Sequence, residues 1–222
     1  MKNLTVISGD FINSSQYETN LLKSILKHLK AEFTMIENQL SAEGVHFSIY
    51  RGDSFQGVLE NPVRALSVAL QIKAFVNKTV SKAVQTKSKT PIADIRISIG
   101  IGEADYDKTS ITESNGAAFH FSGRTLDKMK LEGSKMALTT ANKEINAEFL
   151  VSFAFLDAIT NRWSTASAEV VYYLLKGYTE QQIANEIGRS QAAINLRKKA
   201  AGWEEIQLLL KRYEQVAKKY FV

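Results

Sequence analysis

Apolar positions fall into two alternating periods along this chain. The run Leu4-Thr5-Val6-Ile7, closed by Gly9-Asp10, is short, apolar and β-branched, and predicts a buried strand over Leu4 to Asp10. From Tyr17 to about Leu40 the period lengthens: Leu21, Leu22, Ile25, Leu26, Leu29 and Phe33 recur at spacings of three and four, as on one face of a helix. Val45 to Tyr50 alternates again, Arg51-Gly52-Asp53 breaks the alternation, and Phe55 to Leu59 resumes it, which is the pattern of a β-hairpin. Pro62 suits a helix start, and Ala65, Leu66, Ala69, Leu70, Ile72 and Phe75 supply the apolar stripe behind it.

The stretch from Lys82 to Pro91 is polar and reads as a loop. Ile95-Arg96-Ile97-Ser98-Ile99-Gly100-Ile101-Gly102 alternates strictly and predicts a strand with one wet face. A second loop over Asp105 to Asn115, a helix over Ala117 to Leu131 and a short strand over Lys135 to Thr139 complete the order β-α-β-β-α-β-α-β, an α+β chain with a ferredoxin-like core and an extension. After about Asn142 every pattern is helical and the charge rises. Two units are therefore expected, 1–142 and 143–222.

Composition narrows the picture. The 222 residues are 45% apolar, enough for real cores and against disorder. Without cysteine the chain has no disulfides, thiolate zinc sites or cysteine nucleophiles, in keeping with a cytoplasmic location. No run approaches a membrane span, and the first residues read as a strand rather than a signal peptide. The net charge is +5, and residues 161–222 hold 10 Lys/Arg against 6 acids, so the excess sits in the helical part and invites a polyanion.

Within that part, Ile183, Ala184 and Ile187 form the inner face of one short helix, Gly188 suits its end, and Ser190 suits the N-cap of a second helix with Ile194 buried. The turn has helix-turn-helix length. The string resembles the turn and recognition helix of bacterial regulators and of the sigma-factor DNA-binding region. Under that resemblance Gln191, Asn195, Arg197, Lys198 and Lys199 are the expected contacts to duplex DNA. Arg189 and Leu196 depart from the pattern, and the rival reading is a helical hairpin that only packs or dimerises.

Asp10 and Asp53 each follow a glycine at the end of a β-run. Singly, each reads as a turn-capping aspartate. Together, at the end of the first strand and the tip of the hairpin, they resemble the paired metal ligands of the class III nucleotidyl cyclase domain and its polymerase-palm relatives. Ile97 to Glu103 and Gly116 to Arg124 resemble two further strings of that family. The chain as a whole, with its Gly-Asp-Phe-Ile-Asn-Ser start, Gly-Asp-Ser-Phe-Gln hairpin and helix-turn-helix, is similar to the SatD-like bacterial proteins.

The resemblance implies Mg²⁺ or Mn²⁺ on Asp10 and Asp53. It implies phosphate held by the backbone of Phe11, Ile12, Asn13 and Ser14, and Arg124 as the residue bearing on a triphosphate in binding or catalysis. Departures accompany it. His120 stands for the cyclases' transition-state Asn, and Ile49 for their base-selecting Lys, with Arg51 two residues off. Glu113 aligns with their base-reading Asp. His28 and His46 are isolated, Trp163 and Trp203 read as core anchors, Phe119 and Phe121 as packing residues, and Arg96 and Ser98 as wet-face residues within reach of a ligand. The expected protein is a homodimeric, DNA-binding regulator whose palm binds a metal-nucleotide or phosphate ligand. The rivals are a divalent-metal nucleotidyl cyclase or other triphosphate-cleaving enzyme, and a non-catalytic dimerisation scaffold.

Overall fold

A computed structural model of the chain describes residues 2–50, 52–79, 90–106 and 114–222. Strands β1 (Lys2–Phe11), β2 (Val45–Tyr50), β3 (Ser54–Leu59) and β4 (Ile95–Asp105) run antiparallel in the order β2-β3-β1-β4. Beyond β4, the two-residue β5 (Asn115–Gly116) pairs antiparallel with its end and β6 (Met136–Thr140) parallel with its middle. Helices α1 (Thr19–Gln39) and α2 (Ala65–Asn77) join these strands in the expected ferredoxin-like order, and α3 (Ala117–Glu132) precedes β6. The segment Pro62–Arg64 is a 3₁₀ turn capped by the Asn61 side chain, so the α-helix opens three residues after the proline.

Strand alternation sorts the sheet into two faces. Ile7, Phe11, Phe55, Leu59, Ile95, Ile97, Ile99 and Ile101 join α1 and α2 in the main core. Leu4, Val6, Val58 and Ala104 meet Ala118 and Phe119 of α3 on the other side. The wet face expected for the Ile95 to Gly102 strand is therefore corrected: Ser98, Gly100 and Gly102 are buried. The reason is steric. A Cβ on Gly100 would lie 2.3 Å from the Ala118 carbonyl oxygen and 2.5 Å from Ser122 N, so the glycine lets the α3 backbone rest directly on β4. Ser98 then donates to the Ser122 carbonyl at 2.7 Å, and Ser122 to Ser8 Oγ at 2.8 Å, which satisfies the hydroxyls this contact buries.

Five helices follow: α4 (Lys143–Thr160), α5 (Thr165–Leu175), α6 (Glu180–Ile187), α7 (Gln191–Ala200) and α8 (Trp203–Tyr220). The composition changes at Asn142, but the packing is continuous there. Phe149, Phe153, Trp163, Tyr172, Trp203 and Tyr213 share one core with the sheet. The Tyr172 hydroxyl donates to Glu32 Oε2 of α1 at 2.7 Å, and the Tyr213 hydroxyl to the Pro62 carbonyl at 2.7 Å. No helix among the described residues is long and apolar enough to cross a membrane.

Candidate phosphate and cation site at the β1–β3 strand end

Asp10 is the penultimate residue of β1 and pairs in register with Ser54 of β3 and Arg96 of β4. It is 7% exposed. Its side chain lies on the α3 face of the sheet, like Ser8, Ser54 and Arg96. Lys130 Nζ of α3 stands 3.2 Å from Oδ2, and Arg96 Nη1 stands 3.8 Å from Oδ1. Asp10 Oδ1 is buried without a hydrogen-bond partner, and so is Arg96 Nε. An unsatisfied carboxylate oxygen is costly to bury, so this end of the strand holds an unfilled valence for a cation or donor.

Asp53 sits in the β2–β3 turn, beside Gly52 with φ +79°, a backbone state glycine tolerates best. The turn brings the aspartate to the same strand end as Asp10, because the Asp53 carbonyl accepts from Phe11 N at 3.3 Å. Asp53 Oδ2 accepts from Ser14 Oγ at 2.5 Å and Oδ1 from Ser54 Oγ at 3.4 Å. Among the described residues no group of three or more His, Asp or Glu side chains forms a cation cage. The Asp10 oxygen without a hydrogen bond is a ligand that an ion completing its shell with phosphate oxygens and water could use, as Mg²⁺ commonly does.

The expected phosphate cradle narrows. Phe11 N donates to Asp53 O, and Ile12 N to Asp94 O at 2.9 Å, so neither amide is open to a ligand. The Phe11 ring is buried and meets Tyr17 edge-on. Asn13 and Ser14 stay available, with Asn13 left-handed at φ +54°. Behind this loop lies a partly buried charge cluster. Lys73 Nζ is 2.8 Å and Lys135 Nζ 2.7 Å from the Asp94 carboxylate, and Asn77 Nδ2 donates to it at 3.0 Å. Burial opposes ionisation of Asp94, but the two ammoniums outweigh it and hold its carboxyl down at about 2. Burial pushes the Lys73 ammonium below its usual value.

Arg124 does not join Asp10. It is exposed, as is His120, and on a helical wheel both lie on the side of α3 opposite Ser122 and Leu126, which face the sheet. Lys130, six residues on, turns back toward β1 and supplies the cation. Arg96 sits where a wet-face residue was expected to reach, whereas Ser98 is sealed beneath α3. Ile49, the departure from a base-selecting Lys, packs against the main core. Arg51 and Glu113 lie outside the described residues, as do most of both expected loops. Phe119 is buried as expected, and Trp163 and Trp203 are core residues, Trp163 Nε1 donating to the Ala201 carbonyl at 2.9 Å.

Solved structures similar to this chain include nucleotidyl cyclase domains. The active GGEEF domain of a diguanylate cyclase from Vibrio cholerae matches 64% of this chain and 85% of its own, at 20% identity and TM-score 0.42. A bacterial light-regulated adenylyl cyclase matches 62% and 76%, at 15% and 0.44. The catalytic core of a rhodopsin-guanylyl cyclase with converted specificity, in complex with ATPαS, matches 57% and 72%, at 22% and 0.41. No family model and no curated protein matches the sequence.

In the helical part, α6 ends at Gly188 with φ +63°, and Ser190 Oγ caps α7 by accepting from Ala193 N. Ile183, Ala184 and Ile194 close a small core with Val170 of α5. The proposed DNA contacts divide. Gln191 and Lys199 are exposed. Lys198 Nζ is held 2.8 Å from Glu180, Asn195 Nδ2 leans on the same carboxylate at 3.4 Å, and Arg197 Nη1 is 3.4 Å from Glu169.

Proposed function

We propose that the β1–β3 strand end binds a nucleoside triphosphate through its phosphates, with a divalent cation, Mg²⁺ or Mn²⁺, shared between those phosphates and Asp10 and Asp53. The observation that carries this reading is the buried Asp10 Oδ1, without a hydrogen bond, beside two cations at the strand end that the Asp53 turn also reaches. Asp10 and Asp53 would hold the ion, which would supply charge neutralisation at the phosphates. The amides of Asn13 and Ser14 would receive one phosphate edge, and Lys130 and Arg96 would meet the remaining charge. With Ile49 turned into the core, recognition rests on the phosphates and discriminates weakly among bases.

Cleavage of the triphosphate is the second reading, favoured by the same two carboxylates. In it Lys130 and Arg96 act within one chain, and Arg124 acts on a ligand only from a neighbouring copy. The SatD-like reading, palm first and a DNA-binding helix-turn-helix behind it, is supported by the α6–Gly188–Ser190–α7 geometry. It is weakened by the capture of Asn195, Lys198 and Arg197 by acidic neighbours.

The test is thermal shift and calorimetry with each nucleoside triphosphate, with Mn²⁺, Mg²⁺ or chelator. A metal-dependent stabilisation lost in Asp10→Asn is expected, with similar size across bases. No shift with any triphosphate and metal, or an equal shift in Asp10→Asn, overturns the reading. Release of pyrophosphate that disappears in Asp10→Asn and Asp53→Asn raises the second reading above the first.

A further inference from the structure

Helix α4 is apolar on both sides. Ile145, Phe149, Phe153 and Leu156 face the core. The opposite side carries Ala147, Leu150, Val151, Ala154, Phe155 and Ala158, all exposed, with Leu150 at 72%, Val151 at 58% and Phe155 at 70%. A helix that is hydrophobic all round is ordinarily buried all round, and a contiguous apolar patch marks an interaction surface.

The order of these residues names the partner. Positions 147, 150 and 151 mirror 158, 155 and 154 about the midpoint between Ser152 and Phe153. We propose that α4 pairs with α4 of a second copy of this chain, antiparallel, about a two-fold axis at that midpoint. An isologous interface requires a self-complementary surface of this kind. Ala147 then faces Ala158 of the second copy, and Val151 faces Ala154. Leu150 and Phe155 pack beside the small central residues, which let the helices approach closely.

Charge completes the match. Glu144 and Arg162 flank the stripe on the same side, at opposite ends, and neither has an ion-pair partner among the described residues; Arg162 Nε only donates to the Ala158 carbonyl. Antiparallel pairing sets Glu144 of each copy beside Arg162 of the other, once at each end. A parallel pairing would set like charges together. A single helix pair sits at the small end of specific interfaces, so the association is a weak one, on the order of micromolar.

Sedimentation equilibrium of the full chain across that range tests the proposal. Val151→Glu and Phe155→Ser are expected to weaken the dimer at least tenfold while circular dichroism and thermal midpoint stay as in the parent, since both side chains are exposed. Glu144→Arg and Arg162→Glu are each expected to weaken it, and the double exchange to restore it. The chain has no cysteine, so single Cys variants are clean probes. Ala147→Cys and Ala158→Cys proteins are expected to cross-link when mixed and not separately, because like positions stand about 16 Å apart along the paired helices. A monomer at roughly a hundred micromolar, a dimer indifferent to Val151→Glu, or cross-linking of Ala147→Cys with itself each overturns the proposal.

Discussion

The buried ammonium of Lys73 makes the sharpest prediction about stability. Its side chain is 1% exposed, its partner Asp94 stands 2.8 Å away, and its remaining acceptor is the Ile95 carbonyl at 3.4 Å. Asp94→Ala removes the one carboxylate paired with that charge and leaves only the more distant Asp157 to oppose it. Breaking one side of a buried pair costs about 3–5 kcal/mol. The loss has a ceiling, because Lys73 can shed its proton instead. From an unfolded value near 10.4, doing so at pH 7 costs about 4.6 kcal/mol, at 1.36 kcal/mol per unit.

The sign follows from proton counting. In the variant the folded chain binds fewer protons than the unfolded chain at any pH between the depressed folded value and about 10.4, so its stability rises with pH. The deficit relative to the parent should therefore shrink, from about 4 kcal/mol at pH 7 toward about 2 kcal/mol at pH 9. Urea unfolding followed by the fluorescence of Trp163 and Trp203, both buried, measures it at the two pH values. Adding Lys73→Met to Asp94→Ala should recover most of the loss, since the charge is then gone and the space filled. A deficit under about 1 kcal/mol at pH 7, or one unchanged at pH 9, would refute the reasoning.

The parent should weaken in acid for the same cluster's sake: with its folded value depressed to about 2, Asp94 contributes stability that is complete above about pH 4 and lost as pH falls toward 2, a drop that urea titrations should find missing in Asp94→Ala. Gly100→Ala should cost about 1–3 kcal/mol or more by pushing α3 off β4. Gly123→Ala, where a Cβ meets nothing within 4 Å, should stabilise by about 0.5–1 kcal/mol, and equal midpoints for the two would contradict the close approach. Tyr172→Phe strips a hydrogen bond from the buried Glu32 carboxylate and should cost about 1–3 kcal/mol in urea unfolding. Lys130→Met should tighten Mn²⁺ binding at Asp10 while weakening metal-triphosphate binding, both read by calorimetry; loss of both would make Lys130 merely structural.

Periodicity exposed the strands and helices because each buries one face, and period alone reveals that burial. It says nothing of what the face is buried against. The tail helices look self-sufficient in sequence, with aromatic residues at helical spacing. Tyr172 and Tyr213 spend their hydroxyls on Glu32 and the Pro62 carbonyl, far back along the chain. Those links are long-range pairings of one side chain with one acceptor, and no local pattern encodes them. The Ile95 to Gly102 strand misleads for the opposite reason. Ser98, Gly100 and Gly102 read as a polar face, yet small residues are what a helix backbone needs in order to lie on a strand.

The same distinction governs the site. That the Asp53 turn and the end of β1 lie together was legible, because a hairpin tip and a strand end in a β1–β3 pair are neighbours by topology. Which cations meet Asp10 was not. Motif spacing points to Arg124, but a helix turns about 100° per residue, and six residues separate Arg124 on the outer side of α3 from Lys130 on the β1 side. A buried carboxylate demands a counter-charge without saying which residue supplies it. Lys130 covers one Asp10 oxygen at 3.2 Å from an arm that is 44% exposed, and the other has Arg96 at 3.8 Å but no hydrogen bond. An exposed lysine is a counter-ion that anionic phosphate can draw away, and its departure would open Asp10 to a divalent ion. On the proposed reading the two halves of the ligand would be coupled: phosphate would remove the cation that competes with metal, and metal would replace the charge that phosphate removes.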